Sequence, residues 1–126
     1  MNRMLRILHL EDNPLDSQLV RDQLSVAGVE ADITVVSTRE DFLATLPREK
    51  WDLILADYRL PKFTGIEALD IVREQDRVTP FILLSGTIGE LAAIESLKAG
   101  ATDYVLKQNR ERLPSCILRA LSLIHI

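Results

Sequence analysis

Four short stretches of this 126-residue chain carry side chains able to do chemistry together, and each closes a run of apolar residues. Glu11-Asp12 follows Leu5 to Leu10, Asp57 follows Leu53 to Ala56, Ser85 follows Phe81 to Leu84, and Lys107 follows Tyr104 to Leu106. Three carboxylates gathered at one place repel, and each has its pKa raised unless positive charge offsets them. A divalent cation is the natural remedy. With only oxygen ligands in the set, Mg²⁺ or Mn²⁺ fits better than Zn²⁺. Such an ion, lightly held, keeps coordination positions for a phosphate oxygen. Lys107 then supplies positive charge on the other side of that phosphate, and Ser85 a hydrogen-bond donor. With Asp57 as the oxygen nucleophile this is a minimal set for phosphoryl transfer through an aspartyl phosphate.

The elements that must gather these residues are legible in the hydrophobic pattern. Nearly continuous apolar runs at Leu5 to Leu10, Ile33 to Val36, Leu53 to Ala56, Phe81 to Leu84 and Tyr104 to Leu106 read as strands buried on both faces. Helical spacing fills the gaps between them. One face carries Leu15, Leu19, Val20, Leu24 and Ala27, and a shorter one Phe42, Leu43 and Leu46. The next two carry Ile66, Leu69 and Val72, then Leu91, Ile94 and Leu97; the last has Ile117, Leu118, Leu121 and Ile124. Punctuation agrees. Asn13-Pro14 opens the first helix and Gly28 closes it, Ser37 or Thr38 caps the second, and Thr64-Gly65 leads into the third. Gly89 precedes the fourth helix, Gly100 ends it, and Pro114 suits the first turn of the fifth.

Strict strand–helix alternation demands right-handed crossovers, hence an α/β fold: a doubly wound, five-stranded parallel sheet in three layers. Ligands of such sheets bind outside the carboxyl ends of the strands. Glu11, Asp12, Asp57, Ser85 and Lys107 all lie at that edge. Asp32, Asp52 and Asp103 precede their strands, lie at the other edge and receive no role. Taken singly, each site residue has an ordinary reading as a helix cap, a turn residue or a solvated lysine. Their arrival at one edge from four strands decides for chemistry.

Composition bounds the rest. Fifteen basic against 19 acidic side chains leave a net charge of −4, which argues against direct binding of nucleic acid through its phosphates. The lone Cys116 cannot form an internal disulfide. No apolar run approaches the ~18 residues of a membrane span, and the start at Met1-Asn2-Arg3 has no signal-peptide pattern. The expectation is a single cytoplasmic domain over 1–126, without membrane insertion.

The motifs Leu10-Glu11-Asp12-Asn13, Asp57 with Leu60-Pro61 and Gly65, Leu84-Ser85-Gly86, and Asp103-Tyr104-Val105-Leu106-Lys107 resemble the receiver domain of bacterial two-component response regulators. The likeness runs from Ile7 to about Leu121. It implies a flavodoxin-like fold with strand order 2-1-3-4-5. With nothing after the last helix the expectation is a receiver without an output domain, either stand-alone or a piece of a longer regulator or hybrid kinase. The likeness also implies that Asp57 accepts a phosphoryl group from a phosphohistidine on a sensor histidine kinase or phosphotransfer domain. Asp12 and Asp57 would ligate Mg²⁺ directly, Glu11 through water, and Arg59 by its backbone carbonyl. Lys107 and Ser85 would hold phosphoryl oxygens. The family's switch would couple Ser85 to Tyr104 and remodel the face formed by the fourth helix, fifth strand and fifth helix, a face open to homodimerisation. Arg59 and Thr87 would tune the lifetime of the phosphate. Such a domain is no enzyme in the ordinary sense, since it catalyses only its own phosphorylation and dephosphorylation. The chain departs from the family pattern after the lysine. Many receivers have a cis proline there, whereas Gln108 favours a trans bond.

Other readings compete. A metal-dependent phosphohydrolase would use the same aspartate, but such enzymes commonly pair two aspartates two apart, and Asp57-Tyr58-Arg59 lacks the second. A flavin-binding protein of the same fold is disfavoured by the acidic site. A phosphate-independent binding module is disfavoured by the intact Asp12, Asp57, Ser85 and Lys107. His9, inside the first strand, reads as a packed core histidine; His125 lies in the tail; Cys116 reads as a packing residue. Gly86-Thr87-Ile88-Gly89 lacks a full dinucleotide fingerprint.

Overall fold

The computed structural model describes residues 4–86 and 90–123. Five strands, β1 (Leu5–Leu10), β2 (Ala31–Val36), β3 (Leu53–Asp57), β4 (Phe81–Ser85) and β5 (Asp103–Leu106), alternate with five α-helices. These are α1 (Pro14–Val26), α2 (Arg39–Thr45), α3 (Gly65–Gln75), α4 (Glu90–Lys98) and α5 (Leu113–Leu123). Short 3₁₀ turns follow α2 at Leu46–Arg48 and β5 at Lys107–Arg112. All strands are parallel, in the order β2-β1-β3-β4-β5. The fold is the expected flavodoxin-like α/β sheet.

Every residue of β3 and β4 is buried, which is why those runs are apolar throughout. Alternation along each strand feeds two cores. On one face Leu8, Leu10, Ile54, Ala56, Phe81 and Leu83 meet Phe42 of α2 and Ala68, Leu69 and Val72 of α3. On the other, Ile7, Leu53, Leu55, Ile82 and Leu84 meet Val20 and Leu24 of α1 and Leu113, Ile117 and Ala120 of α5. Caps fall largely where the spacing predicts. The Asn13 side chain accepts from the Leu15 amide, Thr38 from the Asp41 amide, and Thr64 with Glu67 forms a reciprocal capping box. Gly28 and Gly100 follow α1 and α4 with φ of 75° and 110°, the left-handed region that disfavours side chains.

Three helical faces differ from the periodicity reading. On α1 the core contacts come from Val20 and Leu24, while Leu15 is 65% exposed. On α5 Ile117 is buried and Leu118 points outward. The largest departure is α4. Leu91, Ile94 and Leu97 are 67%, 44% and 50% exposed, and the buried member of the helix is Ser96, flanked by half-buried Ala92, Ala93 and Ala99. The stripe of small residues, not the large one, faces the sheet. Gly89 and Ile124 fall outside the described residues.

His9 is fully buried, and burial with the nearby Lys107 and Arg21 charges pushes its pKa down to about 3, so it packs as a neutral ring. Cys116 is buried among α5 contacts, where burial raises its thiol pKa. Among the described residues no helix is long and apolar enough to cross a membrane.

Candidate phosphoacceptor site

The carboxyl ends of β1, β3 and β5 converge on a compact ionic cluster. β3 delivers Asp57 with 7% of its surface exposed. Its Oδ1 accepts from the Arg59 amide at 3.3 Å, and its Oδ2 accepts from Lys107 Nζ at 2.9 Å. Glu11, at the end of β1, is almost completely buried. One of its oxygens accepts from Lys107 at 3.2 Å, the other from the amides of Asp12 and Asn13 at 3.0 and 3.2 Å. Asp12 is exposed beside it and does not cap α1; Asn13 does.

Gly65 sets how closely α3 approaches this edge. A Cβ there would lie 2.6 Å from the Asp57 carbonyl oxygen and overlap the Leu83 side chain. The Gly65 amide meanwhile donates to the Tyr58 carbonyl at 3.1 Å. The helix therefore presses directly against the backbone that carries the acceptor. This close approach is the physical reason for a glycine eight residues beyond Asp57.

Glu11, Asp12 and Asp57 each offer a carboxylate oxygen, and these oxygens lie within 4.8 Å of one another. Burial and the repulsion of Asp57 push the Glu11 pKa up to about 7, against the pull of Lys107 and the Asn13 amide. For Lys107, burial alone would lower the pKa; hydrogen bonds to Asp16 and Asp57 and the charges of Glu11 and Asp57 outweigh it and raise the pKa. The ammonium stays protonated. A hard divalent cation fits this donor set, because its charge relieves the carboxylate repulsion and oxygen is its preferred ligand.

Of the remaining residues read from sequence, Ser85 is buried at the end of β4. Arg59 is exposed just after Asp57 and pairs with Thr64 in an isolated antiparallel bridge. Tyr104 is 8% exposed, already inside the molecule, with its ring centroid 6.0 Å from that of Tyr58. Its hydroxyl finds no hydrogen-bond partner among the described residues. Thr87 lies outside the described residues. The peptide bond after Lys107 is trans, since no cis bond occurs among the described residues. Asp32, Asp52 and Asp103 stay away from the cluster and serve locally: Asp52 accepts from the Arg6 amide and Asp103 from the Tyr104 amide.

Two further residues belong to the cluster and escape the sequence reading. Asp16 Oδ2 accepts from Lys107 Nζ at 2.7 Å, and Asp16 Oδ1 accepts from Arg110 at 2.7 Å. Asp16 lies in the first turn of α1, where an acid has an ordinary reading against the helix dipole. Arg110 lies in the irregular turn after β5 and has no signal in the spacing.

A family model of the response regulator receiver domain matches residues 7–117. The chain belongs to that family. As a receiver it is a phosphoacceptor signalling module of two-component systems. It is 32% identical over 97 residues to the regulatory protein LuxO of Vibrio cholerae, covering 71% of this chain and 21% of that protein. It is 35% identical over 105 residues to a protein-glutamate methylesterase/protein-glutamine glutaminase of Archaeoglobus fulgidus, covering 82% of this chain and 30% of that one. The receiver thus spans less than a third of the length of these relatives. Among solved structures it resembles the receiver domain of a Pseudomonas aeruginosa sensor histidine kinase, with a TM-score of 0.80 and 28% identity over 95% of this chain and 99% of the other. That structure has a magnesium ion coordinated in its active site cleft.

Proposed function

We propose that this receiver is a phosphorylation-controlled switch in which Asp57 accepts a phosphoryl group from a phosphohistidine on a sensor histidine kinase or phosphotransfer domain. The observation that carries the reading is the placement of the Asp57 carboxylate between an acidic pair and the Lys107 ammonium, at the carboxyl edge of the sheet. An Asp57 oxygen attacks phosphorus, the new O–P bond forms as the N–P bond breaks, and the electron pair returns to the imidazole nitrogen of the donor. Mg²⁺, or Mn²⁺ in its place, would be held by Asp12, Asp57, the Arg59 carbonyl and, through water, Glu11, and would neutralise charge on the phosphoryl oxygens. Lys107 supports a second phosphoryl oxygen and Ser85 donates to a third. Water later attacks the same phosphorus and restores Asp57, with Arg59 and Thr87 tuning the rate. Catalysis is confined to this cycle of self-modification.

Tyr104 is already inward and packed beside Tyr58, and phosphorylation would couple Ser85 to this ring and remodel the face beyond it. The readout is then the face of α4, β5 and α5, where Leu91, Ile94 and Leu97 stand exposed. A downstream protein or a second copy would cover them. The unit is a single receiver domain over 1–126, acting in the cytoplasm.

Intact mass after incubation with a small phosphodonor and Mg²⁺ tests the assignment. One added phosphoryl group is expected, absent from Asp57→Asn and from protein stripped of metal. An adduct that persists in Asp57→Asn would overturn the choice of acceptor.

A further inference from the structure

The ion pair between Asp16 and Arg110 is not needed to complete the acceptor cluster, yet it is built into it. Arg110 donates through one terminal nitrogen to Asp16 at 2.7 Å and through the other to the Lys107 backbone carbonyl at 3.0 Å. Asp16 in turn accepts from Lys107 Nζ at 2.7 Å, shorter than the contacts of the same ammonium with Asp57 and Glu11. Backbone and side chain of one lysine are thereby tied into a closed ring with α1. The three side chains are only 15–19% exposed, so solvent screens the ring weakly.

The local backbone explains why a tie is required. Lys107 is followed by a 3₁₀ turn broken at Asn109, whose φ of −114° and ψ of 37° are not helical, and the peptide to Gln108 is trans. Neither proline nor a regular helix fixes the direction in which the lysine leaves the sheet. A lysine has four rotatable side-chain bonds, and holding its ammonium within reach of a phosphoryl group costs entropy unless something orders it beforehand.

We propose that Asp16 and Arg110 are positioning residues for Lys107, an inference that rests on the reading of Asp57 as phosphoacceptor. The ammonium has three hydrogens, and Asp16, Asp57 and Glu11 take one each. When Asp57 carries a phosphoryl group, Lys107 exchanges its contact with the carboxylate for one with a phosphoryl oxygen. The Asp16 bond persists through that exchange, so the ammonium pivots about a fixed anchor. The Arg110 fork keeps both the anchor and the lysine backbone in place, and the single ammonium of Arg110→Lys lacks the planar pair of donors to do so.

The test is the rate of Asp57 phosphorylation by a small phosphodonor at saturating Mg²⁺, read by intact mass, with thermal midpoints recorded for each variant. Asp16→Asn, which preserves size, is expected to slow the wild-type reaction several-fold, and Asp16→Ala about ten-fold or more. Arg110→Gln should slow it too, with Arg110→Lys failing to restore the rate. The Asp16→Ala, Arg110→Gln double variant should be no slower than Asp16→Ala alone. In a Lys107→Ala background, Asp16→Asn should change nothing further, because its effect passes through the missing ammonium. A merely structural role would slow both backgrounds alike, and that result overturns the proposal. So does a wild-type rate in both Asp16 variants. A wild-type chain that takes up no phosphoryl group at all would overturn the phosphoacceptor reading itself, and the positioning role with it.

Discussion

Helices α3 and α4 share one face of the sheet and are held there by opposite means. α3 inserts Leu69 and Val72 into the core, closes its start with a Thr64–Glu67 capping box, and uses Gly65 to press against the backbone behind Asp57. α4 turns small residues inward around Ser96, whose hydroxyl donates back to the Ala92 carbonyl at 2.7 Å, and turns Leu91, Ile94 and Leu97 outward. Volume locks the first helix; the second rests on the sheet. Two packed helices on one surface can therefore divide the labour, one fixing the acceptor and the other free to change its contacts. A signalling domain needs both, since a uniformly locked structure has no low-energy element to move.

The sharpest way to break this contrast is truncation on each side. Leu69→Ala should cost ~2–5 kcal/mol of unfolding free energy in urea, the usual loss for a fully buried leucine. Leu97→Ala should stay within about 0.5 kcal/mol, as for most exposed positions. Equal losses would show that α4 is as firmly packed as α3. Gly65→Ala comes next, at about 1–3 kcal/mol from overpacking against Asp57 and Leu83. It should also slow phosphorylation, because the displaced backbone carries the acceptor.

Acid separates the helices in another way. His9 is neutral in the fold with a pKa of about 3, below its ordinary value of 6.5. Its contribution is complete above pH ~6.5 and is lost as pH falls from there toward 3, at ~1.4 kcal/mol per pH unit. Amides of α3, packed into the core, should lose protection over that window in hydrogen exchange. Amides of α4 should follow only the intrinsic exchange rate. His9→Leu should flatten the acid dependence of α3. The smallest expected effect on stability belongs to the outer stripe of α4. Ile94→Ser combined with Leu91→Ser should change the unfolding free energy by no more than about 0.5 kcal/mol per site. It should nonetheless abolish any association that the phosphorylated receiver makes through that face, read by light scattering.

Much of this is legible without the structure. Strands β1, β3 and β4 announce themselves because burial on both faces leaves them nearly unbroken by polar residues. The residue after each strand then follows from topology alone, which is why Glu11, Asp12, Asp57, Ser85 and Lys107 can be named together. The α4 face departs from the sequence reading for a definite reason. Leu91, Ile94 and Leu97 have the spacing of a core stripe, and periodicity cannot say which of two stripes meets the sheet when Ala92, Ser96 and Ala99 form the other. Asp16 is hidden because an acid in a first helical turn has an ordinary explanation in the helix dipole. Arg110 reaches the site only through the shape of a turn, and no spacing rule encodes that shape.

The contact between Tyr58 and Tyr104 has an optical consequence. Two phenol rings 6.0 Å apart and inclined at 57° form a chirally coupled pair, one member adjoining the acceptor and the other embedded in β5. Any change in their mutual tilt alters the sign and strength of the near-ultraviolet circular dichroism that they share. The lone tryptophan, Trp51, donates its indole N–H to the Leu46 carbonyl near the opposite edge of the sheet, and its absorption supplies a steady background. The molecule thus carries a native chromophore pair beside its acceptor, readable with no label attached.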